Sequence, residues 1–306
     1  MTDKNYKRKT QFIINLFRFT ILFGICFVIL YPIIYMVSCA FRERGDMNDP
    51  TVMWIPRHFT LGIIKQTVNA MDFGETLMNT LLLNIGCSLV QVISCAVTGY
   101  GFARFNFKGK KILFTLVIFM ILVPTQVISI PLYTQFRYFG IKGIFSVNLI
   151  DSFACMYLPA LTANGIRSGL MILIFRQFFR GMPRELEDAA YLDGCSPFST
   201  FTKIMLPNSR SAILTVFLFS IVLYWNDSYV SSTFFTNNKT IGIMLKNLNS
   251  QLSLTLFNDP TVQISPREQI VWLEAGCLVS ILPLLIMYTF LQKYFTEGLE
   301  RSGIVG

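Results

Sequence analysis

The chain has 306 residues, 53% of them hydrophobic and 14% charged, whereas soluble domains carry about a quarter charged residues. That balance excludes a soluble domain, a disordered or collagen-like chain and a small disulfide scaffold, and it leaves an integral membrane protein. The excess of 26 Lys and Arg over 17 Asp and Glu is read as a topology signal and not as a nucleic-acid footprint, because basic residues collect in short cytoplasmic segments of membrane chains.

In chain order, residues 1–18 carry five basic side chains and one acidic, which predicts a cytoplasmic N-terminal segment. The 23 uncharged residues from Phe19 to Phe41 predict the first transmembrane helix (19–41), since about 20 apolar residues cross the hydrocarbon core. A cleaved signal peptide would have a shorter apolar region and a small-residue cleavage site. Residues 42–75, with four basic against five acidic, read as an external loop. Further uncharged runs extend from Thr76 to Ala103, Ile112 to Phe136 and Ala275 to Gln292. Two weaker spans are expected near Ser152 to Phe178, interrupted by Arg167 and Arg176, and from Ser211 to Asp227. The segments assigned inside hold 16 basic residues and those outside nine. The expected fold class is therefore all-α integral membrane, with six transmembrane helices and both termini cytoplasmic. Residues 76–292 form a five-helix core and 293–306 a cytoplasmic tail.

Seven cysteines stand singly, nearly all within spans, and read as small apolar fillers without metal-ligand spacing. His58 is the only histidine, so neither a histidine metal cluster nor a Ser-His-Asp site is expected. No P-loop occurs, and hydrolysis of ATP by that mechanism would need a partner. Pro32, Pro124, Pro131 and Pro283 fall in or near spans and are hinges or inert kinks. Gln126, Asn226 and Asp227 are polar groups at apparent membrane depth, which makes them pathway candidates, although Asp227 equally suits a solvated cap in the outer interface. Tyr224, Trp225 and Tyr229 are candidates for stacking on sugar rings or for an interfacial aromatic belt.

The segment from Gly181 to Pro207 reads as two short helices. Pro183 opens the first, Glu185, Glu187 and Asp188 complement its positive end, and Gly194 supplies a left-handed stop. Ser196 caps the second, which Pro197 opens and Pro207 closes. Leu186, Ala189, Ala190 and Asp193 recur at three- and four-residue spacing, and the alanines leave room for close approach by another backbone. Local physics alone leaves this element a docking helix or a solvated linker.

Asp188-Ala189-Ala190, then Gly194, then Ile204 and Leu206-Pro207 resemble the EAA loop of binding-protein-dependent ABC importer permeases, with aspartate where the family usually has glutamate. Asn79-Thr80, Tyr100 to Arg104, Val123-Pro124, Ile130 to Tyr133, Arg176 to Phe179, Trp225 to Asp227 and the C-terminal Leu282-Pro283 onward are similar to the carbohydrate branch of that family, the maltose-transporter permease kind. Arg167 departs from it, because that branch usually has an apolar residue nearby. The resemblance implies a type I permease fold and a permease subunit of an ATP-driven sugar importer in the bacterial inner membrane. It also implies that Glu185, Asp188, Ala189, Ala190, Asp193, Gly194, Ile204, Leu206 and Pro207 dock onto a cytoplasmic ATPase. Expected partners are two ATP-binding subunits, a paralogous permease, a solute-binding protein and the bilayer, with no nucleic acid. No cofactor is expected on this chain, ATP being bound by the partner. The rival class is a self-sufficient secondary carrier, which would show an internal repeat and ion-coupling residues in mid-span. An intramembrane hydrolase is a distant third.

Overall fold

The computed structural model describes residues 2–141, 144–259 and 261–303, with side chains for these except 2–10, 291 and 293–303. Its first half forms α1 (Thr2–Ala40), α2 (Gly62–Ala70), α3 (Phe73–Arg104), α4 (Lys110–Leu122), α5 (Thr125–Arg137), α6 (Ala154–Leu161) and α7 (Ser168–Gly181). Between α5 and α6, β1 (Phe139–Ile141) and β2 (Phe145–Val147) pair antiparallel, with Gly140 opposite Ser146. Then come α8 (Glu185–Leu192), α9 (Pro197–Thr200), a π-helical turn Phe201–Met205 and α10 (Leu206–Asn208). The remainder is α11 (Arg210–Trp225), α12 (Tyr229–Phe234), α13 (Ile241–Lys246), α14 (Leu248–Phe257) and α15 (Pro266–Gly303).

Three stretches are long and apolar enough to cross a membrane unbroken, namely Gln11–Ala40, Phe73–Arg104 and Pro266–Phe290. The run from Ile112 to Phe136, expected as one span with Pro124 a hinge or kink, bends by 106° between α4 and α5. Pro124 is the cause: it has no N–H to continue the α4 ladder, and it holds Val123 extended at φ −74° and ψ 120°. A second bend of 77° separates Pro197–Asn208 from α11, just after Pro207. The span expected near 152–178 is also two helices, α6 and α7, with a break between them.

The chain divides into two units. One comprises Met1–Met71 and Asn247–Leu282. Within it α2 packs on α14, and the buried carboxylate of Asp46 accepts the N–H groups of Arg57 and His58 at 2.9 and 3.2 Å, which ties down the loop after α1. Asn48 joins that loop to the start of α15, its Nδ2 donating to Glu268 Oε1 at 3.0 Å and its carbonyl accepting from Arg267 Nη1 at 2.9 Å. Most of the apolar face of α1, from Phe12 to Val37, is exposed, as a helix surrounded by lipid would be.

The other unit comprises Asp72–Lys246 and Pro283–Gly306, and α3 is its axis, packed against α6, α7 and α11. Cys87, Ser88, Gln91, Cys95, Ala96 and Gly99 are buried on or beside one face of α3 at three- and four-residue intervals, while Leu82, Leu89, Ile93 and Val97 are exposed on another. In lipid there is little hydrophobic gain between helices, so close packing of small residues must hold them together. Gly99 shows the fit, since a Cβ there would stand 2.6 Å from Phe175 Cβ and 3.0 Å from the backbone nitrogen of Arg176. Arg176, which interrupts the fourth expected span, lies over the Phe114 ring at 3.9 Å and so keeps its charge on an aromatic face. Outside the spans, Asp151 accepts the N–H groups of Thr236, Asn237 and Asn238. Burial raises its pKa, but these bonds outweigh burial and leave it below the usual carboxylate value.

Candidate functional site

Local sequence rules build the loop after α7. The helix α8 ends on a Schellman turn, in which Cys195 N–H donates to Ala190 O at 2.9 Å and Gly194 N–H to Tyr191 O at 3.0 Å, with Gly194 at φ +80°. Ser196 then caps α9 through its hydroxyl, which accepts the Ser199 N–H at 3.3 Å, and Pro197 takes the first helical position. The expected docking residues divide by burial. Ala190 is buried and Ile204 and Leu206 are half-buried, whereas Glu185, Asp188, Ala189, Asp193, Gly194 and Pro207 are exposed. Leu192, at the end of α8, and Phe198, in α9, stand 89% and 76% exposed on the same loop as the exposed acids Glu185, Asp188 and Asp193.

What holds α8 in place is a residue that sequence reasoning assigned only to the helix's positive end. The Glu187 carboxylate is buried, with Oε2 3.0 Å from Arg104 Nε and Oε1 accepting the Tyr100 hydroxyl at 2.6 Å. Arg104 Nη2 also donates to Met182 O at 2.7 Å, so it fastens both the carboxylate and the entry to the loop. Tyr100 and Arg104 are four residues apart and therefore lie on one face of α3 near its end. The Tyr100 to Arg104 segment stood out in the sequence as similar to the carbohydrate branch, but the partner lies 83 residues or more away.

The second feature is the break between α6 and α7. Ala163 and Arg167 are left-handed, at φ 54° and 56°, and the interruption frees backbone groups within an apolar segment. Side chains from α3 and α11 satisfy them. Ser94 Oγ donates to Ala160 O at 2.6 Å, and Gln91 Nε2 donates to Ile166 O at 3.0 Å. The Tyr224 hydroxyl donates to Gln91 Oε1 at 2.7 Å and accepts the Ile166 N–H at 3.4 Å. Gly165 is required there, because a Cβ would run into both Gln91 Oε1 and the Tyr224 oxygen.

A cavity of about 370 Å³ opens beside this break, lined by apolar side chains such as Phe119, Ile128 and Met156 and by Ser129, Asn164, Arg167, Tyr224, Tyr229 and Thr233. Of the four pathway candidates, Tyr224 lines it. Gln126 is exposed on α5 outside the lining, and Asn226 donates to Val222 O at 3.0 Å. Asp227 accepts from Val230 N–H at 3.1 Å, Ser231 N–H at 2.8 Å and the Ser231 hydroxyl at 2.7 Å, which is the geometry of a cap on α12. Asp227→Ala should accordingly cost about 1 kcal/mol of stability and leave the apparent uptake affinity unchanged. Thermal unfolding in detergent alongside uptake kinetics checks this, and a weakened affinity at unchanged stability would return Asp227 to the pathway.

Residues 96–301 match the family model described as binding-protein-dependent transport system inner membrane component. The chain is 28% identical over 286 residues to Protein LplC of Bacillus subtilis (strain 168), covering 92% of each. It is 26% identical over 304 residues to the arabinooligosaccharides transport system permease protein AraQ of Halalkalibacterium halodurans, covering 98% of this chain and 100% of that one. A chain in the crystal structure of a bacterial ABC transporter involved in the import of the acidic polysaccharide alginate shares the fold, with TM-score 0.72 at 19% identity over 94% of this chain and 98% of the other.

Proposed function

This chain belongs to the family of binding-protein-dependent transport system inner membrane components, and from that membership we propose that it is the permease subunit of an ATP-driven importer of a sugar or oligosaccharide. It is a multi-pass protein of the inner membrane with the type I ABC permease fold, a transporter component and not an enzyme. Family membership also sets aside the self-sufficient carrier. The sugar class comes from relatives such as AraQ, whose name assigns it to arabinooligosaccharide transport.

The observation that carries the coupling role is that Leu192, Phe198, Glu185 and Asp188 are all exposed on a loop fixed to α3 by Glu187. A rigidly based, outward apolar pair is what a partner groove needs, because a movement of the partner then reaches the spanning helices without being lost in a slack loop. In this reading two cytoplasmic ATP-binding subunits bind and hydrolyse ATP, and this chain holds no cofactor. A paralogous permease supplies the other half of the pathway, and a solute-binding protein delivers the cargo. Both termini and Cys195 face the cytoplasm, and His58 faces outward.

The test is to purify the tagged chain in mild detergent, identify the subunits that accompany it, and measure ATP-dependent saccharide uptake after reconstitution. Uptake should require ATP, the binding protein and an intact α8 loop. Labelling of Cys195 by an impermeant thiol reagent on intact cells would reverse the topology, and transport by the isolated chain without ATP would overturn the importer reading.

A further inference from the structure

We propose that the cavity at the α6–α7 break takes a saccharide bearing a single carboxylate, a uronic-acid unit, with the Arg167 guanidinium as its counter-charge. The inference rests on the sugar-importer reading and names the substrate class within it. Arg167 stands in the break of the fourth expected span, with its side chain exposed beside the cavity, and a guanidinium at membrane depth marks a pathway by default. Among the described residues no carboxylate lies within ion-pair distance of it, and its one hydrogen bond is a long one, from Nη1 to Ile121 O at 3.4 Å.

The backbone holds Arg167 at this place against a cost. A non-glycine residue at φ 56° loses about 1 kcal/mol, and the surrounding bonds from Gln91, Ser94 and Tyr224 keep the break in that form. Arg167 occupies the N-cap position of the 14-residue helix α7 without a side-chain cap bond, and the positive end of that helix adds to the attraction for an anion. The guanidinium and the helix end thus act on the same cavity from one short segment.

Charge matching narrows the ligand. Arg167 is the only ionisable cation among the residues that line the cavity, and no acidic residue lines it. One guanidinium neutralises one carboxylate and can grip both of its oxygens, whereas a phosphate dianion would leave a charge uncompensated in apolar surroundings. The volume of about 370 Å³ falls within the range of small-ligand sites. Tyr224, Tyr229, Asn164 and Thr233 also line it, side chains of the kinds that pack against a sugar ring and hydrogen-bond its hydroxyls.

The test uses the complete importer in proteoliposomes, with uptake of a neutral saccharide compared with that of its uronate counterpart. Equilibrium binding of both to the detergent-purified complex, without the binding protein, removes the contribution of that protein's own selectivity. Wild type should bind the uronate more tightly than the neutral sugar. Arg167→Gln should lose about 10- to 100-fold in uronate binding with neutral binding unchanged, and Arg167→Lys should recover part of the loss. Equal loss for both sugars, or none for either, overturns the charge-matching proposal and leaves the sugar-importer reading standing. So does disassembly of the Arg167→Gln complex, which would assign the guanidinium to subunit pairing. Failure of the wild-type importer to bind or transport any saccharide would instead sink the sugar reading itself.

Discussion

Glu187→Ala should detach α8 from α3 and abolish coupled transport, with a large loss of stability. The carboxylate is buried against Arg104 and Tyr100, so its removal strands a guanidinium and a hydroxyl together. Breaking one side of a buried pair costs about 3–5 kcal/mol, mainly because the charge left behind has no partner. Arg104→Ala should be comparably damaging, and it also removes the bond to Met182 O that fastens the loop entry. Tyr100→Phe keeps the ion pair and loses one hydrogen bond to a charged group, a smaller effect of about 1.5–3 kcal/mol. The measurement is thermal unfolding of the detergent-solubilised complex together with substrate-stimulated ATPase activity. In the double variant Glu187→Gln with Arg104→Gln no unpaired charge remains, so stability should partly return. Single variants with wild-type melting and coupling would show that the pair does not anchor the loop.

The α8 loop was legible in sequence because its features are local. Gly194, Ser196 and Pro197 each answer to the backbone geometry of two or three neighbours, and the structure shows the left-handed turn and the cap that those residue types require. The continuous apolar stretches of α1, α3 and α15 were legible for the same reason, since charge-free length is a one-dimensional quantity. The Glu187 anchor was not, because it joins residues 83 and 87 positions apart and nothing near Glu187 distinguishes it from Glu185 or Asp188. The bend at Pro124 illustrates a second limit. Pro124 marked a hinge or kink in the sequence, but an uncharged run is silent on how far the backbone turns, so Ile112 to Phe136 counted as one span although it bends through 106°. The cavity was hidden for a third reason: Gln91, Ser94 and Tyr224 are uncharged and pass unnoticed in a charge count, yet they satisfy the backbone that makes the break possible.

Gly194→Val should leave the protein folded and inserted while severing it from its ATPase. At φ +80° a β-branched residue is strained by roughly 1–2 kcal/mol, and the space around Gly194 is open, so the cost is conformational and no clash contributes. That is too little to unfold the unit built on α3, but the Schellman turn relieves the strain most cheaply by changing its path. The turn sets the direction of Phe198 relative to Leu192, and a docking pair that no longer fits one groove loses most of its binding energy. Asp188→Lys should act at the same surface by charge reversal, and Leu192→Asp by placing a charge where an apolar anchor is needed. All three should show normal expression and near-normal melting, with the ATP-binding subunit lost on purification and uptake abolished. This pattern is the opposite of that expected for Glu187→Ala, in which stability falls together with coupling. If Gly194→Val and Asp188→Lys keep the ATPase bound and transport at the wild-type rate, the loop is a linker and the coupling role assigned to it fails.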